Sequence, residues 1–178
     1  MPALTWPVPL PQWGPVRLRP FAESDLDLVA ELAADPYVPL IGSVPAVFSE
    51  AEGLAYLERQ RQRLTDGTGW SFAIAELESD RAVGSAGLWR QEGRRARAGY
   101  TVAPSARGRG YAKAGLRALT AFAWTQPDIE RVELFIEPGN LASIAVARSC
   151  GYRAEGLLTR HVEIGGRLRD MLLYAAER

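Results

Sequence analysis

Apolar and polar positions recur along this chain with two different periods. A helical period, in which apolar residues return every three or four positions, marks four segments. A strand-like alternation or composition marks seven others. The predicted helices cover 24–35, 49–64, the apolar stripe 112–123, and the run from Leu141 to the stop signal Gly151; the predicted strands cover 16–21, 70–77, 82–89, 95–103, 131–137 and, as a final pair, parts of 153–177.

Local signals mark where several of these elements begin and end. Ser49, with Glu52 three residues later, has the spacing of a capping box at the start of the second helix. Pro36 ends the first helix, because the residue before a proline is disfavoured in the helical conformation. The Gly165-Gly166 pair predicts a tight turn between the last two strands. Residues 37–48 lack either period and are predicted to form a loop.

The order of these elements predicts an α+β fold. They follow one another as β-α-α-β-β-β-α-β-α-β-β, which is typical of a mixed, mostly antiparallel sheet with helices packed on it. The strand–helix–strand unit at 95–137 needs a crossover connection and therefore predicts one local parallel pair. We expect a single domain over 16–178, preceded by a Pro/Trp-rich arm at 1–15.

The arm at 1–15 contains five prolines and two tryptophans, which disfavour a helix or a central strand. Its PVPLP run has the composition of an extended ligand for a proline-recognition groove. The alternative is that the tryptophans pack on the arm's own domain or on a second copy of the chain. A homodimer therefore stays open.

Composition narrows the function classes. Over 178 residues, 21 Lys+Arg balance 21 Asp+Glu, so no global field draws the protein to nucleic acid or to an anionic membrane. No stretch approaches the roughly 18 apolar residues of a membrane span, and the N-terminus does not resemble a signal peptide. One cysteine, Cys150, and one histidine, His161, disfavour a disulfide and a His/Cys metal site. We expect a cytoplasmic protein without a metal, and we interpret RQRQR at 59–63 as a solvated helix face.

One stretch concentrates positive charge against this neutral background. RGRGYAKAG, residues 107–115, holds three cations and three glycines between a predicted strand and a predicted helix. The first N–H groups of a helix lack intrahelical partners, and glycines let an anion approach them. The stretch predicts an anion site of pyrophosphate size; an exposed capping turn and a nucleic-acid contact are the alternatives. Its spacing fits neither a Walker loop nor the dinucleotide fingerprint.

The same stretch resembles a known cofactor signature. Arg107-x-x-Gly110-x-Ala112, after a strand and opening a helix, is similar to the acetyl-CoA motif R/Q-x-x-G-x-G/A of the GNAT superfamily of N-acetyltransferases. Three longer segments also resemble that family: YTVAPSARGRGYA (100–112), IEPGNLASIAVARSCGYRAEG (136–156), and GGRLRDMLLYA (165–175), the last in the manner of the RimJ/RimL-type branch. The resemblance covers about residues 15–176.

The resemblance implies a fold and a pose for the cofactor. It implies a twisted sheet of about seven strands flanked by about four helices, with the fourth and fifth strands splayed at a cofactor slot. Acetyl-CoA would lie there as co-substrate, its pyrophosphate on the loop and its pantetheine arm along the strand. The backbone N–H of Val102 would donate to the developing oxyanion. The implied cofactor-binding residues are Tyr100, Thr101, Val102, Arg107, Gly108, Arg109, Gly110, Tyr111, Ala112, Asn140 and Ser143.

The resemblance also implies the reaction, which is transfer of an acetyl group to a primary amine by direct attack in a ternary complex. The acceptor would be a protein N-terminus or a small amine such as an aminoglycoside, a polyamine or an amino acid. Ser143 is the candidate for protonating the leaving thiolate, and Glu137 and Glu163 are candidates for the base. Trp89 and His161 are candidates for the acceptor pocket, with the loop 36–48 at its rim.

Each of these residues also has a structural interpretation. In that interpretation Ser143 bonds to backbone in a first helical turn, Glu137 is a solvated loop carboxylate, and Trp89 and His161 are packing residues. A non-catalytic acyl-CoA-binding module is therefore the alternative function. An RNA-binding domain that uses RGRG and RQRQR is a third.

Overall fold

The structure, a computed structural model, describes residues 4–178, which form one eight-stranded mixed sheet with helices on both faces. The strands are β1 Gln12–Trp13, β2 Val16–Arg19, β3 Gly69–Glu76, β4 Ala82–Gln91, β5 Arg95–Val102, β6 Arg131–Ile136, β7 Arg153–Ile164 and β8 Arg167–Glu177. The helices are α1 Leu26–Ala33, α2 Val38–Ile41, α3 Glu50–Thr65, α4 Tyr111–Ala123 and α5 Leu141–Ser149.

The predicted α+β fold is confirmed, with two elements more than the sequence indicated. β1 is a two-residue strand in the arm, where its only partner is β2, so it lies at the sheet edge where prolines are tolerated. α2 is a single turn inside the predicted loop 37–48, with Pro39 in its first turn. Both are too short to leave a period in the sequence.

The strands are arranged in the order β1-β2-β3-β4-β5-β6-β8-β7, and every neighbouring pair is antiparallel except β5 and β6. The predicted parallel pair is therefore confirmed. β5 and β6 are in register at only three positions, from Arg95↔Arg131 to Arg97↔Glu133. Beyond Arg97 the two strands separate. β5 and β6 are the fourth and fifth of the predicted strands, so the expected splay is confirmed.

Each of the separating strands stays paired along its other edge. β5 pairs with β4 from Gln91↔Arg95 to Gly84↔Val102, and β6 pairs with β8 from Arg131↔Glu177 to Ile136↔Leu172. Because both outer ladders are complete, the gap between β5 and β6 is a fixed feature of the sheet.

The two faces of the sheet carry different elements. On one face, Phe122 of α4 packs edge-on against Trp70 and Phe72 of β3, with ring centroids 5.1 and 5.5 Å apart. On the other face, Arg63 of α3 lies over Trp89 of β4. The sheet face that α3 covers also borders the cavity of the candidate active site.

The arm packs on its own sheet over residues 4–15. Trp6 contacts Phe72 edge-on at 5.4 Å, and the indole N–H of Trp70 donates to the Thr5 carbonyl at 3.0 Å. These contacts agree with the interpretation in which the tryptophans of the arm pack on its own domain. Residues 1–3 of the predicted arm lie outside the described residues. The boundary between the arm (1–15) and the domain (16–178) stays a prediction.

Candidate active site

The edge of β5 that faces the gap presents peptide groups that no neighbouring strand pairs. Ala103 N–H donates to the Val83 carbonyl at 2.9 Å, which makes Gly84 and Val102 a non-hydrogen-bonded pair of the β4–β5 ladder. The peptide groups of Val102, and by alternation those of Tyr100, therefore point away from β4 and into the gap. A ligand lying between the strands meets these groups.

The loop between β5 and α4 has the left-handed backbone that its glycines predict. Gly108 has a φ of +77° and Gly110 a φ of +80°, and Gly110 is the N-cap of α4. The first N–H groups of α4 lack intrahelical partners, and the hydrogen bonds recorded between residues 4 and 178 leave the Gly108, Arg109 and Gly110 amides unused as well. A Cβ at either glycine would meet no atom within 4 Å, so the loop faces open space. The loop is an anion cradle by geometry.

Arg107 has partners other than the ligand that its sequence position suggested. Its guanidinium donates to the Val102 carbonyl at 3.1 Å and to an Asp35 oxygen at 2.7 Å. Its own N–H donates to the Pro104 carbonyl at 3.3 Å. Arg107 therefore holds the loop against the end of β5 and against the turn after α1, which leaves the amides after it to meet an anion.

Asp35 is the buried partner in this arrangement. Its carboxylate, 8% exposed, also accepts from the N–H groups of Tyr37 and Val38 at 2.8 and 3.0 Å. Burial acts to raise the pKa of Asp35, but the two amide bonds and the Arg107 guanidinium more than offset it, so the pKa lies below its usual value. Asp35 thus connects the cradle to the segment that carries Tyr37.

A cavity of about 240 Å³ opens where β5 and β6 separate, and residues from most parts of the chain line it. Six of the predicted site residues line it: Trp89, Tyr100, Thr101, Glu137, Asn140 and Ser143. The predicted loop residues lie beyond the cavity, at the far end of β5. The fold therefore brings the Gly108–Gly110 loop, with its unused amides, and the cavity to the two ends of one strand edge.

Ser143 and Asn140 enter the cavity from the first turn of α5. The Asn140 side-chain oxygen caps the helix by accepting from Ser143 N–H at 3.0 Å, so Asn140 has a structural role at this position. The Tyr100 hydroxyl donates to the Ser143 carbonyl at 3.3 Å. Burial raises the pKa of Tyr100 to about 12, so its hydroxyl keeps its proton at neutral pH.

Glu137 faces the cavity just after β6 and is held by a neighbour. Its carboxylate accepts a hydrogen bond from the Tyr37 hydroxyl, and Arg169 Nε of β8 lies 3.9 Å from it. Its side chain is 20% exposed, so it is not the solvated loop carboxylate of the structural interpretation. Burial and the bond to Glu137 raise the pKa of Tyr37, which therefore stays a proton donor at neutral pH.

Glu163 and His161 do not line the cavity. Val162 and Ile164 line it, and successive side chains of a strand point to opposite faces, so Glu163 of β7 faces the other way. His161 stacks on Phe135 at 5.0 Å and is separated from the cavity by that ring. The other candidates line the cavity, and these two residues do not. The structure therefore does not support Glu163 as a base or His161 as an acceptor contact.

A family model described as Acetyltransferase (GNAT) domain matches residues 16–153. This chain belongs to the GNAT acetyltransferase family. It is an N-acetyltransferase, and the fold expected of a GNAT enzyme is the fold observed.

Individual relatives agree with this assignment over nearly the whole chain. The uncharacterized N-acetyltransferase p20 of Bacillus licheniformis is 26% identical over 160 residues, covering 89% of this chain and 90% of that protein. Mycobacterium smegmatis RimJ, solved in complex with CoA-disulfide, superposes with a TM-score of 0.81 at 26% identity, covering 97% of this chain and 90% of that one. A GNAT acetyltransferase from Bacillus anthracis superposes with a TM-score of 0.78 at 19% identity, covering 94% and 98%. The RimJ match supports the RimJ/RimL-type branch.

Four cavity residues of this GNAT enzyme were not singled out from the sequence: Tyr37, Gln60, Arg63 and Arg97. Tyr37 does lie in the loop 36–48, which was expected at the acceptor rim and does line the cavity. Gln60 and Arg63 belong to the RQRQR run, whose assignment as a solvated helix face holds for exposed Arg59 but is wrong for these two. Gln60 is only 4% exposed. A count of helical turns from the buried Tyr56 and Leu57 would have placed Gln60 on the same face.

Residues 4–178 lack a metal-binding cluster and a membrane-spanning helix. No group of three or more His, Cys, Asp or Glu side chains in that range is arranged to hold a metal ion. No helix in the same range combines the length and the apolar character that crossing a bilayer requires.

Asp35→Asn should lower the free energy of unfolding by about 1–3 kcal/mol, because hydrogen bonds to a charged acceptor contribute more than neutral ones. A depressed native pKa stabilises the protein above the unfolded pKa, and that stability is lost as pH falls through the native value. Urea unfolding should therefore show the full difference from wild type above about pH 5 and a shrinking one below about pH 4. Asp66→Asn, at an exposed position, is the control and should change stability by less than about 0.5 kcal/mol. A pH-independent loss for Asp35→Asn would contradict the ionic role.

Proposed function

We propose that this enzyme transfers the acetyl group of acetyl-CoA to a primary amine by direct attack within a ternary complex. One observation carries the proposal. The open edge of β5 runs from the Gly108–Gly110 cradle to a cavity that holds Ser143 and Glu137. The family assignment and the CoA-disulfide complex of the RimJ relative point in the same direction.

Acetyl-CoA would bind along this edge through two chemically distinct parts, its pyrophosphate and its pantetheine arm. The pyrophosphate would bind the amides from Gly108 to Ala112, where the helix dipole and the two glycines favour an anion. The pantetheine amides would pair with the gap-facing peptide groups of Tyr100 and Val102, as an added strand does. The Val102 N–H then lies where it can donate to the oxyanion that forms at the thioester carbon.

The cavity residues would supply proton transfer. Glu137 would accept the proton of the attacking amine, directly or through water, with the Tyr37 hydroxyl orienting its carboxylate. The thioester C–S bond breaks as the amine–carbon bond forms. Ser143 would give the departing thiolate a proton and would regain one, through water, from the protonated Glu137. Holding both substrates in line supplies much of the acceleration. The comparisons give no support to the non-catalytic acyl-CoA-binding alternative.

Gly110→Trp should raise the Kd for acetyl-CoA at least about tenfold, because the indole would fill the space that the pyrophosphate needs. Titration calorimetry measures it. Gly151→Trp is a matched control, since Gly151 also has a left-handed φ, +88°, and open space at its Cβ, so it carries the same backbone strain away from the cradle. Equal acetyl-CoA affinity in the two variants would contradict the cradle.

Glu137→Gln should lower kcat about 100-fold or more at neutral pH, the usual effect of losing a general base. The loss should shrink as pH rises towards the acceptor amine's pKa, about 8 for an α-amino group, because the amine then arrives neutral. Glu163→Gln is the matched control and should stay within about twofold of wild type. Steady-state rates from pH 6 to 9 measure both, and a larger loss in Glu163→Gln would transfer the role of the base to that residue.

A further inference from the structure

Two arginines line the cavity without a carboxylate partner. Among residues 4–178, neither Arg63 nor Arg97 lies within 4.0 Å of an Asp or Glu oxygen. The polar contact of Arg63 is a long one, 3.4 Å to the Ser43 hydroxyl. Each guanidinium instead rests on an aromatic ring: Arg63 over Trp89 at 5.2 Å, and Arg97 over Phe135 at 5.0 Å.

The carboxylates near these two arginines interact with other residues. Glu133, the register partner of Arg97, is bonded to Arg131 at 2.8 Å and lies 3.7 Å from Arg95. Glu137 is bonded to the Tyr37 hydroxyl and lies near Arg169. Glu137 is also the only acidic residue in the lining of the cavity, against two cationic ones. The cavity therefore carries excess positive charge in a chain whose net charge is zero.

This positive charge is partly withdrawn from water. Arg63 is half-buried, whereas Arg97 is exposed. Burial lowers the pKa of both guanidiniums, and Arg63 is the one that the fold takes out of water. A desolvated cation without a partner costs free energy, and an anionic ligand would recover it.

Trp89 is a neighbour of both cations. Trp89 and Arg97 are register partners across β4 and β5, and Arg63 covers the Trp89 ring from above. The ring lies across two glycines: a Cβ at Gly87 would approach it to 2.5 Å and one at Gly99 to 3.1 Å. These glycines leave room for the indole, which forms a floor beneath the Arg63 guanidinium.

We infer that the acceptor amine carries a second group, a carboxylate or a phosphate, that binds Arg63 and Arg97 over the Trp89 floor. This inference rests on the proposed acetyltransferase function and names its substrate class. Guanidinium forks match the planar oxygens of carboxylate and phosphate. Phe135, under Arg97, lies two residues before Glu137, a spacing of roughly 7 Å along an extended backbone. The acceptor is therefore a compact molecule with its amine and its anionic group a few bonds apart. Polyamines and aminoglycosides, which bring only positive charge, are disfavoured.

The test compares acceptors that differ only in the anionic group. Acetyl-CoA turnover would be measured with glutamate and glutamine α-amide, with O-phosphoethanolamine and ethanolamine, and with spermidine. Wild type should favour the anionic member of at least one pair by about tenfold or more in kcat/KM, and the preferred pair tells carboxylate from phosphate. Arg63→Gln and Arg97→Gln should each reduce that preference at least about fivefold, chiefly by raising KM. Arg59→Gln removes an equal charge from the exposed side of α3 and should leave the preference intact.

The outcomes separate this inference from the function beneath it. Turnover of spermidine or of the neutral amines at least equal to that of the anionic acceptors would overturn the inference and leave the acetyltransferase function standing. An anionic preference that survives both cavity substitutions would also overturn it. Failure of acetyl-CoA to bind at all, measured separately by calorimetry, would instead contradict the proposed function.

Discussion

The separation of β5 from β6 is the constraint on which the rest of the structure depends. A parallel pair that stops after three positions leaves peptide groups without strand partners, which is costly unless water or a ligand meets them. The sheet tolerates this cost because β5 is fully paired to β4, and β6 to β8. The cradle, the open strand edge and the cavity all lie along this one gap.

Asp35 connects the two ends of that gap. It bonds Arg107 beside the cradle, and it caps the turn that positions Tyr37 against Glu137 in the cavity. A single buried carboxylate therefore orients both the loop before α4 and the segment that carries Tyr37. The proposed mechanism needs both in fixed relation, because its rate would depend on holding two substrates in line.

The helices, strands and turns could be predicted well from the sequence, because each depends on residues that lie a few positions apart along the chain. The Ser49 hydroxyl does accept from Glu52 N–H at 3.2 Å, and the last hairpin does turn at Gly165-Gly166. The cradle glycines were predictable for the same reason. Arg63, Arg97 and Tyr37 were not, because their roles depend on which rings and carboxylates the folded chain brings beside them. The partners of Arg107 were missed on the same ground, since Asp35 lies 72 positions away in sequence.

Amide hydrogen exchange with and without acetyl-CoA tests the central claim most directly, because the gap-facing amides are open in the free enzyme. The account predicts that saturating acetyl-CoA slows exchange at Tyr100, Val102 and the amides of 108–112. It predicts no change in β2, on the far side of the sheet from the gap. Acetyl-CoA that binds while these amides exchange as in the free enzyme would contradict the account, since the cofactor would then lie elsewhere.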